Sequence, residues 1–555
     1  MPDSDQISKV EHAIRVSIDS EQWEHVDVLY GELNRLTERD AESIRSHALA
    51  VQNSGDLARA ATMLRKACRL SPEDPNAFLQ LGSVYLAQKR YSEAEEAFRE
   101  VLKIDPDNVI GVRHLVQCLQ HTPEFLSEAE DLLQSAIKQD PDNAAIWIQL
   151  ASIYANDYDR YEEAEEAFKQ GLKLAPESPS AYHNYGQIKR AHGDLAEAEK
   201  LFLRGIELQH PEDSNYAFSL ALCYLFMEDL DPAMKWFRKA AELDPDHNAA
   251  KVYIAFVLFL QGKMREGWEQ YETRLKLREF KGLNYGRPRW DGSELDDQPI
   301  LLLREQGLGD NIQFIRYAKQ VAEKGGKVVV CAWEQLETLF GSVDGVSVVT
   351  RGVPEPKHFH RFCSLMSLPY ILGDDDDTVP DGSSYMEAPE DAVQKWRARI
   401  EEHPGFRVGL VWRGNSMHVN DKFRSSSMAE MSQLLSIPNT SFFSLMKERP
   451  DSESNLPDGL IELGEGFDDF TDTAAAMACL DLVITVDTSI CHLAGALGRP
   501  VWTMLAKGPD FRWGLKGDTT PWYDSMKLYR QSTLGKWDDV YEAIKTDIQD
   551  AIADS

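Results

Sequence analysis

The stretch LVITVDTSICHLAGALGRPVW, residues 482–502, indicates the fold of the second half of this chain. It predicts a buried strand (Leu482–Val486), a polar turn (Asp487–Ser489), a helix (Ile490–Leu497) and a second strand (Pro500–Met504). Free backbone N–H groups and the positive end of the helix dipole lie at such a turn and favour an anion such as phosphate. Asp487 or Thr488 is equally typical of a plain helix N-cap, so the segment alone leaves both interpretations open.

Runs typical of strands and helices alternate around this stretch from residue 299 onward, which is the pattern of a parallel sheet. Further strands are predicted at Ile300–Leu303, Lys327–Cys331, Ser347–Thr350, Arg407–Trp412, Ser441–Met446 and Gly459–Leu463. Helices are predicted at Asp310–Glu323, Trp333–Phe340 and Asp391–Ile400. We therefore predict two tandem Rossmann-type halves, residues 299–388 and 389–555, with a cleft between them.

The first half of the chain repeats every 34 or 35 residues. Prolines end successive units at Pro72, Pro106, Pro141, Pro176, Pro211 and Pro245. Each unit pairs small residues with a large apolar residue, as in Gly82, Ala94 and Phe98, because two antiparallel helices approach closely only where side chains are small. The pattern resembles the tetratricopeptide repeat, and it predicts about seven units over residues 38–280 after a degenerate helical cap at 1–37. Residues 281–298 are read as a linker that Trp290 anchors.

Tetratricopeptide arrays usually form a superhelix whose inner groove binds peptide or protein. The inner positions are mixed. The early units carry Asn76, Leu79, Arg113, Gln117 and Gln120, and the later ones carry Phe218, Leu222, Leu225, Val252, Phe256 and Phe259. This apolar end either holds a partner or packs on the next domain. The asparagine run of the O-linked N-acetylglucosamine transferases is missing from these positions, which weakens an analogy to them.

Composition excludes several classes of protein. The chain has 555 residues and a net charge of −33, which disfavours nucleic acid or an anionic membrane as the main partner. Its longest apolar run, Val252–Leu260, is too short to span a bilayer. The odd number of cysteines without CxxC spacing favours a reducing compartment, and the polar N-terminus predicts a cytoplasmic protein.

A glycine-rich loop, Arg304–Asn311, follows the first predicted strand. Gly307 and Gly309 permit a tight turn, and Asp310 at its end can act as a general base towards an acceptor hydroxyl or can simply cap the helix. Glu334 further on admits a weaker interpretation as the ribose-binding acid of a dinucleotide enzyme, although Ile312 replaces the third glycine of that motif.

A basic loop follows the predicted strand Arg407–Trp412. Its cations stand out in an acidic chain and suit a diphosphate leaving group, but they also fit a solvated loop paired with Asp421. The candidate donor-binding residues here are Arg413, Asn415, Lys422 and Arg424, while His418 by itself indicates little.

Three other features bear on the cleft. His492 lies one helical turn after Thr488 and Ser489, where it can hydrogen-bond a phosphate or a sugar. The aromatic segment 510–523 either covers the donor base or caps the core. Asp374–Asp377 contains a DxD pattern that binds metal in some sugar transferases, but without a preceding strand it reads as a solvated acidic turn.

The second half resembles the family-9 glycosyltransferases, the heptosyltransferase-like group with a GT-B fold, and the chain as a whole is similar to bacterial proteins in which tetratricopeptide repeats precede such a domain. The resemblance rests on residues 288–292, 305–317, 364–369, 409–425, 481–502, 509–513 and 521–523. It implies a base at Asp310, and a nucleotide-diphospho-sugar near Lys422, Arg424, Asp487, Thr488, Ser489 and His492. The short first half and the fused repeats depart from the heptosyltransferases, so a heptose substrate is not implied.

The sequence thus predicts an all-α tetratricopeptide superhelix followed by an α/β GT-B-like pair of tandem Rossmann-type domains. The predicted activity is metal-independent sugar transfer from a nucleotide-diphospho-sugar, with no cofactor, to a hydroxyl acceptor recruited by the repeats. With these neighbours Asp487 is expected to contact the sugar, and the helix start after it the diphosphate. The alternative is a scaffold with an inactive transferase-like domain.

Overall fold

The computed structural model of the protein describes residues 4–37, 40–119, 125–157, 160–209, 212–277, 285–374, 382–416, 420–508 and 510–554. The chain folds as two compact units, Met1–Ile188 and Lys189–Ser555. None of the helices in the described ranges is long and apolar enough to cross a membrane.

The first unit consists of consecutive antiparallel helix pairs. The helices are α1 (Ser4–Asp19), α2 (Trp23–Leu36), α3 (Ala41–Asn53), α4 (Leu57–Leu70), α5 (Pro75–Ala87), α6 (Tyr91–Ile104), α7 (Val109–Leu119), α8 (Leu126–Gln139), α9 (Ala144–Tyr154), α10 (Tyr161–Leu174) and most of α11 (Pro179–Ala191). Gly82 shows why small residues recur, because a Cβ there would lie 2.5 Å from Cε1 of Phe98. The predicted close approach of small and aromatic residues is therefore confirmed in this pair.

The second unit begins with further helix pairs of the same kind. They comprise α12 (Leu195–Leu208), α13 (Ser214–Phe226), α14 (Leu230–Leu243), α15 (Asn248–Leu260) and α16 (Met264–Tyr271), followed by a 3₁₀ turn at Glu272–Lys276. Gly267 of α16 has the role of Gly82, since a Cβ there would lie 2.4 Å from the ring of Phe259.

A four-stranded parallel sheet follows, with strand order β3-β2-β1-β4. Its strands are β1 (Pro299–Leu303), β2 (Lys327–Cys331), β3 (Val346–Thr350) and β4 (Arg361–Ser364). The helices around it are α17 (Leu308–Phe314), α18 (Ala318–Glu323), α19 (Glu337–Phe340) and α20 (Leu368–Leu372). β1 is a continuous apolar run, as expected for a strand covered on both faces.

A six-stranded parallel sheet forms the rest of the unit, with order β10-β9-β8-β5-β6-β7. Its strands are β5 (Phe406–Val411), β6 (Thr440–Ser444), β7 (Leu460–Glu462), β8 (Leu482–Val486), β9 (Val501–Leu505) and β10 (Met526–Arg530). The helices are α21 (Glu390–Ile400), α22 (Asp421–Arg424), α23 (Met428–Met431), α24 (Phe470–Ala478), α25 (Ser489–Ala496) and α26 (Asp538–Asp554). The α/β prediction is thus confirmed, and β8 has the predicted bounds.

Two strands and one interruption were not predicted. β4 and β10 are edge strands of their sheets, where exposure on one side allows polar residues and weakens the apolar signal. The predicted helix Asp310–Glu323 is divided by a 3₁₀ turn at Ile315–Tyr317. Every residue of that turn is buried, so tertiary packing rather than helical periodicity sets the local backbone.

A buried ion pair joins the last repeat to the α/β sheets. The guanidinium of Arg274 donates to both carboxylate oxygens of Glu305, over 2.5 and 2.9 Å, and to Oγ of Ser367 over 2.7 Å. Both charged side chains are at most 1% exposed. Nearby, Trp290 is buried in the core of the second unit, and its indole donates to the carbonyl of Ser293.

Candidate active site

The topology brings the glycine-rich loop, the basic loop and the Asp-Thr-Ser turn to the strand ends where ligands bind in open α/β sheets. β1 pairs with β2 on one side and β4 on the other, and β8 pairs in parallel with β5. The chain leaves β1 into the glycine-rich loop, β5 into the basic loop and β8 into the turn. Each departure lies at the carboxyl end of a strand where the strand order reverses, which is the usual ligand position.

Asp310 lies in the first turn of α17. Its Oδ2 accepts the Gly307 amide hydrogen over 2.9 Å, so Asp310 caps the helix from the N3 position, while the N-cap residue itself is Gly307. Its Oδ1 accepts a hydrogen bond from Nη2 of Arg512 over 2.5 Å. Burial raises the pKa of the Asp310 carboxyl, and the positive charge of Arg512 offsets only part of that rise. Asp310 therefore uses Oδ2 to cap the helix and Oδ1 to pair with Arg512.

Gly309 brings the two halves of the α/β region into contact. A Cβ at this position would lie 2.8 Å from Cδ2 of His492 and 3.3 Å from Cα of Ser489. The first turns of α17 and α25 therefore abut, and only glycine permits so close an approach. The glycine-rich loop and the Asp-Thr-Ser turn consequently form one site.

The Asp-Thr-Ser turn has both a capping and an electrostatic feature. Oγ1 of Thr488 accepts the Ile490 amide hydrogen over 3.2 Å, which makes Thr488 the N-cap of α25. Asp487 precedes it, and burial together with Asp510 raises the pKa of Asp487 to about 6. Asp487, Thr488 and Ser489 all line the same cleft as Asp310.

Arg424 is the cation of the basic loop that reaches this cleft. Its Nη1 donates to the carbonyl oxygen of Asp487 over 3.1 Å, and its Nε donates to Oδ1 of Asp421 over 3.2 Å. The predicted pairing with Asp421 thus exists. Arg424 is nevertheless not merely part of a solvated loop, because it also contacts the Asp-Thr-Ser turn. Asn415 and Asn420 of the same loop also line the cleft.

The structure places the other candidates of this loop differently. Arg413 is partly buried and does not line the cleft. Partial burial of the Lys422 ammonium, together with the nearby charge of Arg190, lowers the pKa of Lys422 to about 8. It lies beside the repeat helices rather than in the cleft. His418 falls outside the described residues.

His492 is buried and neutral. Burial lowers the pKa of His492 well below its usual range, its Nδ1 lies 2.9 Å from the Tyr523 hydroxyl, and its ring stacks on Trp513 at 5.3 Å. Trp513, Trp522 and Tyr523 are buried, so these aromatic residues cap the core.

Asp487, Cys491 and His492 offer a carboxylate, a thiol and an imidazole within 4.8 Å of one another. A metal would need the thiolate, yet burial raises the pKa of the Cys491 thiol well above its usual range and the thiol donates to the carbonyl of Thr488. This grouping therefore fits a protonated, structural cysteine.

In the DxD segment, Asp374 is buried and accepts a hydrogen bond from Tyr317, and Asp375–Asp377 fall outside the described residues. Glu334, the dinucleotide candidate, is 71% exposed and pairs with Arg351.

Arg512 is the functional candidate that sequence reasoning missed. Besides Asp310, it donates to Oδ1 of Asp510 over 2.9 Å and to Oε1 of Gln313 over 2.5 Å. The Arg512 side chain is 8% exposed. It connects the segment after β9 to α17, the helix that the glycine-rich loop leads into. The signal in the sequence is a cation within the aromatic segment of an acidic chain.

The cleft has a volume of about 900 Å³, and its two sides differ in chemistry. One side carries the charged residues Asp310, Arg424, Asp487, Lys507, Asp510 and Arg512. The other side consists of Leu222, Leu225, Phe226, Tyr253, Phe256 and Leu260 from α13 and α15. Phe259 instead packs in the core, stacked on Phe511 at 4.5 Å. The apolar end of the repeats thus both packs on the next domain and leaves a face open to the cleft.

Family models match three segments of the chain. Residues 21–182 match the tetratricopeptide domain of cytochrome c-type biogenesis protein H, and residues 177–246 match a tetratricopeptide repeat model. Residues 468–541 match glycosyltransferase family 9 (heptosyltransferase). The chain therefore contains tetratricopeptide repeats followed by a segment that matches glycosyltransferase family 9, and this segment includes the Asp-Thr-Ser turn and Arg512.

Individual proteins are also similar to parts of this chain. The chain is 26% identical over 329 residues to Protein FlbA of Caulobacter vibrioides, a match covering 54% of each protein, so the chain spans about half the length of this curated relative. It is 26% identical over 113 residues to Superkiller protein 3 of Schizosaccharomyces pombe, covering 19% of the chain and 8% of the relative. A tetratricopeptide protein of Thermus thermophilus aligns at 21% identity over 33% of this chain and 99% of that chain, with a TM-score of 0.31. The Cut9–Hcn1 complex aligns at 14% identity over 49% and 54%, with a TM-score of 0.38.

Proposed function

We propose that the protein is a glycosyltransferase that moves a sugar from a nucleotide-diphospho-sugar to a hydroxyl acceptor, and that its repeats recruit a protein acceptor in the cytoplasm, where such donors are made. The observation that carries the proposal is the convergence of Asp310, Arg424 and the start of α25 on one cleft. The family-9 match includes the turn that begins α25 and supports the same class of reaction.

In the proposed reaction the diphosphate lies at the start of α25. The free N–H groups of the first turn and the guanidinium of Arg424 would offset the negative charge that develops on the leaving nucleoside diphosphate. Asp487 would accept a hydrogen bond from a sugar hydroxyl. The bond between the anomeric carbon and the phosphate oxygen breaks, and the departing oxygen keeps the electron pair.

Asp310 would take the proton of the acceptor hydroxyl as the new bond to the anomeric carbon forms. Its raised pKa suits this role better than that of a fully solvated aspartate. The ion pair with Arg512 must lengthen for Oδ1 to accept the proton, and the incoming diphosphate offers Arg512 an alternative anion. Arg512 would thus hold Asp310 until donor is bound.

The same ion pair also favours a second candidate, a scaffold with an inactive transferase-like domain. Both carboxylate oxygens of Asp310 already have partners, which is the arrangement of a structural residue. Under this alternative the repeats bind a partner and the cleft performs no reaction.

Binding and turnover of a panel of UDP-, GDP-, dTDP- and ADP-sugars test the proposal on the full chain. We expect one donor class to bind and to be hydrolysed slowly without acceptor. Asp310→Asn keeps an oxygen for the Gly307 amide, so we expect this variant to retain donor binding and to lose turnover. A folded protein that binds no donor would overturn the proposal, and cellular function that survives Asp310→Asn would favour the scaffold.

A further inference from the structure

Gln306, in the glycine-rich loop, has a backbone conformation that residues other than glycine rarely adopt. Its φ angle is 58°, in the left-handed region, although the chain places glycine nearby at Gly307 and Gly309. A Cβ atom in this region lies too close to the backbone, so the conformation persists only where surrounding contacts hold it. Gln306 precedes the turn that carries Asp310, so its backbone directs the chain towards the proposed base.

The Gln306 side chain is held by the last repeat. Its Nε2 donates a hydrogen bond to the hydroxyl oxygen of Tyr271 over 2.8 Å. Gln306 itself is exposed, whereas Tyr271, at the end of α16, is 2% exposed. A buried tyrosine of a repeat helix therefore binds the exposed side chain of a loop in the α/β region.

Tyr271 is a rigid support for this contact. The guanidinium of Arg274 lies 4.6 Å from the centre of the Tyr271 ring, and its Nη1 donates to the Tyr271 carbonyl over 3.3 Å. The rings of Trp268 and Phe259 pack edge-on against the tyrosine at 6.0 and 6.1 Å. Arg274 is fixed in turn by its buried ion pair with Glu305. The Tyr271 hydroxyl therefore has a defined position from which to bind the loop.

The residues on either side of Gln306 are held within the α/β region itself. Oδ1 of Asn311 accepts the Glu305 amide hydrogen over 3.1 Å, and Nδ2 of Asn311 donates to the carbonyls of Glu305 and Gly307 over 2.8 and 2.6 Å. Among the described hydrogen bonds of Asn311, none reaches Gln306. The contact with Tyr271 therefore acts on the residue between the two that Asn311 holds.

We propose that Tyr271 is a positioning residue: by holding Gln306 in its left-handed conformation, the last repeat places Asp310 correctly for the acceptor hydroxyl. This inference rests on the proposed function, and it makes the repeats part of the catalytic apparatus as well as a recruiting surface. Tyr271, Gln306 and Asp310 line the same cleft. Because the proposed donor contacts lie at α25 and Arg424, the role predicts an effect on turnover and not on donor affinity.

Substitutions at both ends of the hydrogen bond test the inference on the full chain. Tyr271→Phe removes the hydroxyl and keeps the ring. Gln306→Ala removes the amide and keeps Cβ, while Gln306→Gly removes both and leaves a residue that adopts the left-handed conformation without strain. Tyr85→Phe is the matched control, because Tyr85 is a buried tyrosine of repeat helix α5.

The assay is hydrolysis of the nucleotide-sugar that the wild-type chain turns over, in which water takes the place of the acceptor hydroxyl. It gives kcat and KM for each variant. Calorimetric titration with the matching nucleoside diphosphate measures donor-side affinity, and thermal unfolding checks that each variant is folded.

We expect Tyr271→Phe and Gln306→Ala each to lower kcat about tenfold, since a residue with a Cβ then loses the contact that offsets its left-handed strain. Gln306→Gly should lower kcat by only about threefold or less, and should partly restore kcat when it is combined with Tyr271→Phe. Nucleoside diphosphate affinity should change by less than about twofold throughout. A merely structural role of Tyr271 predicts neither the difference between glycine and alanine nor the rescue.

Wild-type kcat in folded Tyr271→Phe would overturn the inference, as would equal kcat for Gln306→Ala and Gln306→Gly. A loss of nucleotide affinity that matches the loss of turnover would also overturn it, because Tyr271 would then act in donor binding. A wild-type chain that hydrolyses no donor would instead overturn the proposed function. Urea unfolding of Tyr271→Phe, Gln306→Ala and their combination then tests the contact alone: non-additive losses of stability would support it, and additive losses would overturn it.

Discussion

Arg512 donates a hydrogen bond from Nη2 to Oδ1 of Asp310 over 2.5 Å, although 202 residues separate them in the chain. The pair joins the loop after β9 to the first turn of α17. It holds the proposed base against a cation from the half of the α/β region that contains the Asp-Thr-Ser turn. The contact therefore links the proposed base for the acceptor hydroxyl to the segment that would bind the donor.

Removing Arg512 should expose the coupling between the two residues. In Arg512→Met, Asp310 and Asp510 lose their shared cation inside the cleft, so we expect lower stability and loss of sugar transfer. Arg512→Met combined with Asp310→Asn should lose less stability than the two single changes added together, by about 1–3 kcal/mol. Urea unfolding of the four proteins of this cycle measures the coupling. Strict additivity would show that the contact contributes nothing.

Asp487 should make the protein less stable at neutral pH than at mildly acidic pH. Its pKa is raised to about 6, above the ordinary 3.8, so the folded chain binds this proton more tightly than the unfolded chain does. The resulting stabilisation is complete below the unfolded pKa and is lost as the pH rises through about 6.

Asp487→Asn should therefore raise the melting temperature at pH 7 and reduce the slope of stability between pH 4 and 6, while weakening donor binding. Thermal unfolding across this pH range measures both effects. The matched change Asp344→Asn, at a carboxylate that is 81% exposed, should alter neither. An unchanged pH slope in Asp487→Asn would contradict the prediction.

Gly309→Ala tests the contact between the starts of α17 and α25. The new methyl group would lie 2.8 Å from Cδ2 of His492, so α25 must shift and the geometry of the donor site with it. We expect weaker nucleotide binding with a smaller loss of stability. Gly352→Ala is the control, since a Cβ there has no described atom within 4 Å. Nucleotide affinity equal to that of the control would argue against the contact.

The basic loop should contribute through Arg424 and not through Lys422. Arg424→Met removes the cation that contacts the backbone of Asp487, so nucleoside diphosphate affinity should fall about tenfold or more. Lys422→Met changes a cation outside the cleft lining and should have a much smaller effect. Calorimetric titration separates the two, and a larger effect of Lys422→Met would place the diphosphate elsewhere.

The Arg274–Glu305 pair should be among the strongest single contributors to stability in the second unit. Arg274→Met leaves the carboxylate of Glu305 buried without its cation, which typically costs about 3–5 kcal/mol. Arg351→Met breaks an exposed pair with Glu334 and should cost much less, because water screens exposed charges. Denaturant unfolding compares the two. Similar losses would show that water reaches Glu305.

Much of the site could be predicted because local sequence signals carry it. β8 is a short apolar run ended by a polar turn, and the glycine-rich loop follows another such run, so the sequence predicts both loops with their flanking strands. The positions of Arg413 and Lys422 could not be predicted in this way. A cation in a loop can point to either side of the strand end, and only packing against α25 and the repeats selects between them.

Local periodicity by itself determined the two architectures of this chain: a repeat of 34 or 35 residues for the helix pairs, and alternating apolar and helical runs for the parallel sheets. Only the tertiary structure decided which groups share the cleft. The contact of Arg512 with Asp310, the abutment of Gly309 on His492 and the position of α13 and α15 beside the cleft each bring together segments from different parts of the chain. Such contacts depend on how finished elements pack, and neither helical nor strand periodicity records that packing.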